Sequence, residues 1–137
     1  ESYAAYDSCL QYKNDNIYCM NNYAYYLSIN GGNLKKAEQM SFKTVQAEPK
    51  NATYLDTYAW ILFMQKRFTE AKIYVDQAIK NDTDSVLNSV ILEHAGDIHA
   101  QLGDTKTALY YWHKALKIGS GNTAILEKKI RLKKYIK

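Results

Sequence analysis

Proline occurs once, at Pro49, and glycine six times in 137 residues, so little breaks a helix and few positions suit the tight turns of an all-β chain. The two cysteines, Cys9 and Cys19, are too few for the disulfide framework of a small secreted domain. They fall in consecutive helical segments and stand either bonded to each other or, as two such residues more often do, as buried thiols. No apolar run approaches the ~18 residues that a membrane-crossing helix requires. Catalytic signatures are missing as well. There is no glycine-rich phosphate loop, no nucleophile elbow and no carboxylate pair with a partner base, so the chain reads as a non-enzyme. Glu93, His94, Asp97 and His99 fall inside seven residues and tempt a metal reading. His94 and His99 are five apart, however, and face different ways on a helix, so no metal site and no cofactor are expected.

What the chain holds in quantity is apolar and aromatic surface, with 47% hydrophobic residues and 13 tyrosines, enough for a packed core. Their order carries more than their amount. Three times, a small residue inside one helix-like run is followed by an alanine opening the next: Ala24 and Ala37, Ala59 and Ala71, Gly96 and Ala108. The openings lie 34 and then 37 residues apart, a period typical of stacked helical hairpins. A small residue at a crossing lets two helix axes approach to the short end of the usual ~8–10 Å. Punctuation predicts helices at 2–12, 17–30, 34–47, 51–65, 68–80, 84–102, 105–118 and 122–136, the sixth being the longest. Asn16, Asn51, Asp84 and Asn122 read as N-caps, and Gly31, Gly32 and Gly103 as left-handed helix ends.

Leu92, Ala95, Gly96 and His99, followed by Ala108, Trp112 and Ala115, trace the pattern W-x2-L-G-x2-Y and A-x3-F. Leu55, Tyr58, Ala59 and Leu62 with Ala71, Val75 and Ala78 trace it again. Met20, Tyr23, Ala24 and Leu27 with Ala37, Ser41 and Thr44 follow it more loosely, with one extra residue in the Gly31-Gly32-Asn33 turn. In these positions the chain resembles the tetratricopeptide repeat family. The resemblance implies an all-α, right-handed superhelical solenoid of antiparallel helix pairs: about three repeats, an N-terminal half repeat and a C-terminal capping helix. The expected division of this single domain is 1–15 for the half repeat, 16–50, 51–83 and 84–120 for the repeats, and 121–137 for the cap. Because residues 1–15 read as a second helix without its first, the chain is expected to be the C-terminal part of a longer protein. In the cap, Ile125, Leu126, Ile130 and Ile136 are expected to face inward and the lysines to face water. Trp112 and His99 are expected in the core and His113 on the surface.

In that family the first helices of the repeats line a concave groove that receives a protein or peptide. Counting along equivalent faces places Asn21, Tyr25 and Ile29, then Asp56, Trp60 and Phe63, then Glu93, Asp97 and Gln101 toward it. A clamp for a peptide's terminal carboxylate needs cations there. Asn22 would suit one, but Thr57 and His94 occupy the equivalent places, so that mode is rejected. The aromatic and acidic residues suit instead a partner segment with an aromatic or basic character, held by Trp60 and Phe63 and oriented by Asp56, Glu93 and Asp97. Packing against a neighbouring repeat is the competing use of Trp60. Six cations between Lys128 and Lys137 set against a net charge of +4 leave −2 for the rest of the chain. No basic stripe runs along the repeats, and specific nucleic-acid binding is not expected. Two other readings stand beside the interaction module: a scaffold segment self-associating through the uncovered N-terminal helix, and a regulatory array attached to an upstream catalytic domain.

Overall fold

The computed structural model describes residues 17–82, 89–119 and 123–136. Seven α-helices account for nearly all of them: α1 (Ile17–Ile29), α2 (Leu34–Ala47), α3 (Ala52–Met64), α4 (Phe68–Asn81), α5 (Ser89–Gln101), α6 (Thr105–Ile118) and α7 (Thr123–Leu132). No strand occurs among the described residues, and the chain is an all-α solenoid. α1 pairs with α2, α3 with α4 and α5 with α6, while α1, α3 and α5 stack on one another and α7 closes against α6.

The second helices show why the sequence folds this way. Each buries three residues at i, i+4 and i+7: Ala37, Ser41 and Thr44; Ala71, Val75 and Ala78; Ala108, Trp112 and Ala115. That narrow stripe suits a helix packed mainly on one side, and its other faces mix charged residues with exposed apolar ones such as Phe42, Ile73 and Tyr110. α3 differs. Every residue from Tyr54 to Phe63 is buried, because neighbours surround it on all sides. Ala24 and Ala37 share one cluster, and Ala59 and Ala71 share the next, all fully buried. Fully burying each Leu, Ile or Val around these crossings contributes roughly 1.5–3 kcal/mol.

The three hairpin turns are one design written in different residues. Gly31, Lys66 and Gly103 adopt left-handed backbone, with φ of 68°, 64° and 84°. The next N–H then bonds five residues back: Gly32 to the Leu27 carbonyl, Arg67 to Leu62 and Asp104 to His99. This geometry satisfies carbonyls that a helix end leaves bare. The extra residue of the first turn separates Gly31 from the cap Asn33. Side-chain caps come from Asn33, Asn51 and Asp104, which accept from the amides of Lys36, Tyr54 and Thr107. Of these only Asn51 is legible from punctuation alone. Asn16, Asp84 and Asn122 lie outside the described residues, as do the expected helix at 2–12 and the early start of the sixth helix.

Two expectations need correction. Cys19 is disulfide-bonded and not a thiol, while Cys9 lies outside the described residues. The cap is not one helix to residue 136: α7 ends at Leu132, Lys133 turns left-handed at φ 57°, and the Lys134 N–H bonds back to the Lys129 carbonyl at 3.3 Å. The following residues fold onto the wall formed by α3 and α5.

Candidate functional site

The faces of α1, α3 and α5 that bear the nine groove positions line a series of clefts among the described residues. The first cleft, about 250 Å³, is lined by Asn21, Asn22 and Tyr25 of α1, by Thr53, Asp56 and Thr57 of α3, and by Val90 and Ile91 of α5. Asn21 is 3% exposed, yet its Oδ1 has no hydrogen-bond partner among the described residues. A buried carbonyl oxygen left bare costs roughly 1–3 kcal/mol, so it is an unmet demand for a donor.

The second cleft, about 310 Å³, brings Tyr25, Ile29, Trp60, Glu93, His94 and Asp97 together with Ile125, Lys129, Tyr135 and Ile136. Trp60 lies flat on His94 with ring centroids 4.0 Å apart and on Phe63 at 4.5 Å. At 9% exposure its ring is largely packed. Phe63 and Gln101 line a further hollow along the wall together with Tyr135, and Gln101 is exposed.

Charge on this wall is organised in two pairs. The Asp56 carboxylate lies 2.9 and 3.0 Å from His94 Nδ1, both groups being buried. Burial opposes a charge on His94, but the Asp56 carboxylate, with Asp97 and Glu93 behind it, carries its pKa above the usual imidazole value. Lys129 forms the second pair. Its Nζ stands 2.7 Å from Glu93 Oε2 and 2.8 Å from Asp97 Oδ1, bridging two like charges four residues apart on α5. Without such a bridge that spacing destabilises a helix. Asp97 Oδ1 also accepts from Trp112 Nε1 at 3.1 Å. Burial lifts the Asp97 carboxyl to about 6 against the pull of Lys129.

Lys129 overturns the expectation that the lysines of the cap face water, since it is 2% exposed. Ile125, expected inward, is 39% exposed, whereas Leu126 is fully buried as expected. The signal was present in the spacing: Lys129 and Ile130 follow Leu126 at i+3 and i+4, on one helix face. Two unpaired acids on α5 supplied the reason for a cation there. Trp112 is fully buried and His113 exposed. His99 is 4% exposed and approaches Asp76 at 3.4 Å. No group of residues suited to a metal ion occurs among the described residues.

No family model matches the chain, and no curated protein matches it in sequence. Solved structures do match. MamA superposes with a TM-score of 0.69 at 17% identity, covering 95% of this chain and 78% of MamA. The N-terminal domain of stress-induced protein-1 (STI-1) from C. elegans superposes with a TM-score of 0.62 at 22% identity, covering 96% of this chain and 98% of that domain. Both are tetratricopeptide-type helical repeats. The chain shares their fold. At such identities the likeness extends to backbone architecture, and the wall just described is read from this chain's own side chains. Its buried cation, for instance, comes from α7, while Thr57 and His94 stand in the first helices where a terminal-carboxylate clamp would need its own.

Proposed function

We propose that the chain is a non-catalytic protein-interaction module whose concave wall receives an extended segment of a partner protein. The first cleft takes the segment's backbone or an amide side chain, with Asn21 and Asn22 as hydrogen-bonding groups and Tyr25, Asp56 and Thr57 beside them. Aromatic and basic side chains of the segment lie toward Trp60, Phe63, Glu93, Asp97 and Gln101. The observation that carries this reading is the bare, buried Oδ1 of Asn21 at a cleft shared by three first helices. Folding alone gains nothing from an unpaired carbonyl, whereas a turn of the Asn21 amide toward the cleft lets a docked N–H satisfy it. The rigid wall loses little entropy on docking, and the flexible segment bears that cost. A catalytic reading has less support, because the buried carboxylates are already engaged: Asp56 by His94, and Asp97 by Lys129 and Trp112.

The test uses Asn21→Leu, which matches the side chain in size and removes the unpaired oxygen. Peptides selected from a random display library against the parent protein should bind Asn21→Leu at least about tenfold more weakly, as loss of a desolvated hydrogen bond implies. Helix content should be unchanged. Equal affinity for both proteins refutes the groove assignment.

A further inference from the structure

We propose that residues 133–136 are a removable cover over the aromatic part of the concave wall, and that a partner segment carrying an aromatic residue beside lysines displaces Tyr135 to bind there. This deepens the interaction-module reading and rests on it.

The cover differs in its attachment from the helix that carries it. α7 is anchored by Leu126, fully buried with Leu92, Ala108, Trp112 and Ala115, and by Lys129 in its carboxylate pair. Beyond Leu132 the anchorage thins. Lys133 occupies left-handed backbone, a conformation that costs a residue with a Cβ. Lys133 and Lys134 are exposed, while Tyr135 and Ile136 are half-buried. Tyr135 meets Phe63 edge-on, with centroids 5.0 Å apart and planes at 85°, and lies 5.4 Å from Lys129 Nζ. Ile136 lines the second cleft beside Trp60.

Lifting these few residues bares a continuous aromatic surface, in which Phe68 abuts Phe63, Phe63 stacks on Trp60 and Trp60 stacks on His94. The chain itself displays the chemistry that fits this surface. A tyrosine ring sits edge-to-face on Phe63, an isoleucine lines the adjoining cleft, and the ammonium of Lys129 pairs with Glu93 and Asp97. A partner offering a ring flanked by lysines presents the ring and aliphatic contacts of Tyr135 and Ile136 in trans, and its lysines are drawn by the carboxylate charge of Glu93 and Asp97 that the single ammonium of Lys129 leaves over. Lys129 stays in place during the exchange, because its helix is held by Leu126.

The experiment uses the full chain and, as probe, a fluorescein-labelled peptide Arg-Leu-Lys-Lys-Tyr-Ile, the order of residues 131–136. Tyr135→Ala should bind the probe about tenfold more tightly than the parent protein, the scale of one aromatic contact freed from competition. Acrylamide quenching of Trp60 fluorescence should rise in Tyr135→Ala and fall again when the probe is added. Tyr135→Phe keeps the ring and should behave as the parent. Ile136→Ser, a milder opening, should move both readouts in the direction of Tyr135→Ala and serves if the latter folds poorly. Equal probe affinity in the parent and the opened variants, or binding to neither, overturns the cover. Should library-selected peptides lose affinity for Asn21→Leu while the opened variants bind the probe no better than the parent, the groove reading stands and the cover falls. The reverse pattern removes the groove reading and leaves the cover.

Discussion

Replacing Gly96 by alanine tests the packing logic of the repeat, because two effects of known size oppose one another. In an exposed helix interior the change stabilises by about 1 kcal/mol through backbone entropy. Here a Cβ on Gly96 falls well inside contact distance of Trp112 Cδ1 and Nε1, and 3.0 Å from Cε2. The indole cannot yield cheaply, since it is fully buried and its N–H is bonded to Asp97. Overpacking a filled core costs about 1–3 kcal/mol, and losing a hydrogen bond to a charged group adds about 1.5–3 kcal/mol if the ring turns away. The net expectation is destabilisation by about 1–3 kcal/mol, with the melting temperature falling by roughly 4 °C for each kcal/mol. Thermal and urea unfolding followed by circular dichroism measure this directly. In a Trp112→Phe background the smaller ring has no Nε1 to collide with, and the penalty of Gly96→Ala should shrink by at least about half, as coupled neighbours require. A melting temperature for Gly96→Ala equal to or above that of the parent would refute the reasoning, since propensity alone would then have decided the outcome.

Lys129→Met should cost about 3–5 kcal/mol by stranding Glu93 beside a buried Asp97, and clearly less in an Asp97→Asn background; equal losses in both, read by urea denaturation, would show that the bridge is not what matters. Lys66→Gly should stabilise by about 1 kcal/mol, because Lys66 holds the left-handed position that Gly31 and Gly103 fill in the other turns, and an unchanged or lower unfolding midpoint would refute this. Asp97 titrates near 3.8 when unfolded and at about 6 when buried, so the folded state holds the extra proton between these values. Stability must therefore fall as pH rises through that window, by up to ~1.4 kcal/mol per pH unit, and this slope should be absent from Asp97→Asn. His94 works in the next window. Its raised pKa means that stabilisation by Asp56 is fully present below 6.5 and is lost as pH climbs through the folded value, a loss that Asp56→Asn should abolish.

The repeat architecture was legible because its determinants are local and periodic. Buried triplets such as Ala71, Val75 and Ala78 recur at one spacing in every second helix, and the small residues stand at equal places between them. The side chains of the candidate site were legible only in part. Counting along helix faces brought Tyr25, Trp60, Glu93 and Asp97 to one cleft. It could not show that Trp60 is stacked on His94, that His94 is held by Asp56 across 38 residues, or that Lys129 neutralises the acids. A pattern of turn and face specifies where a side chain leaves its helix, but its partner is chosen by whichever neighbouring element comes within a few ångströms.

Sequence alone therefore determined the hairpin period and the helix faces, both properties of spacing along one chain segment. Only the tertiary structure decided the state of the wall those faces form: a bare carbonyl at Asn21, a buried cation from α7, and a tyrosine laid over Phe63. The reason is physical. Burial and charge pairing depend on atoms far apart in the chain, and α7 and the residues beyond it meet α3 and α5 only after the solenoid has stacked.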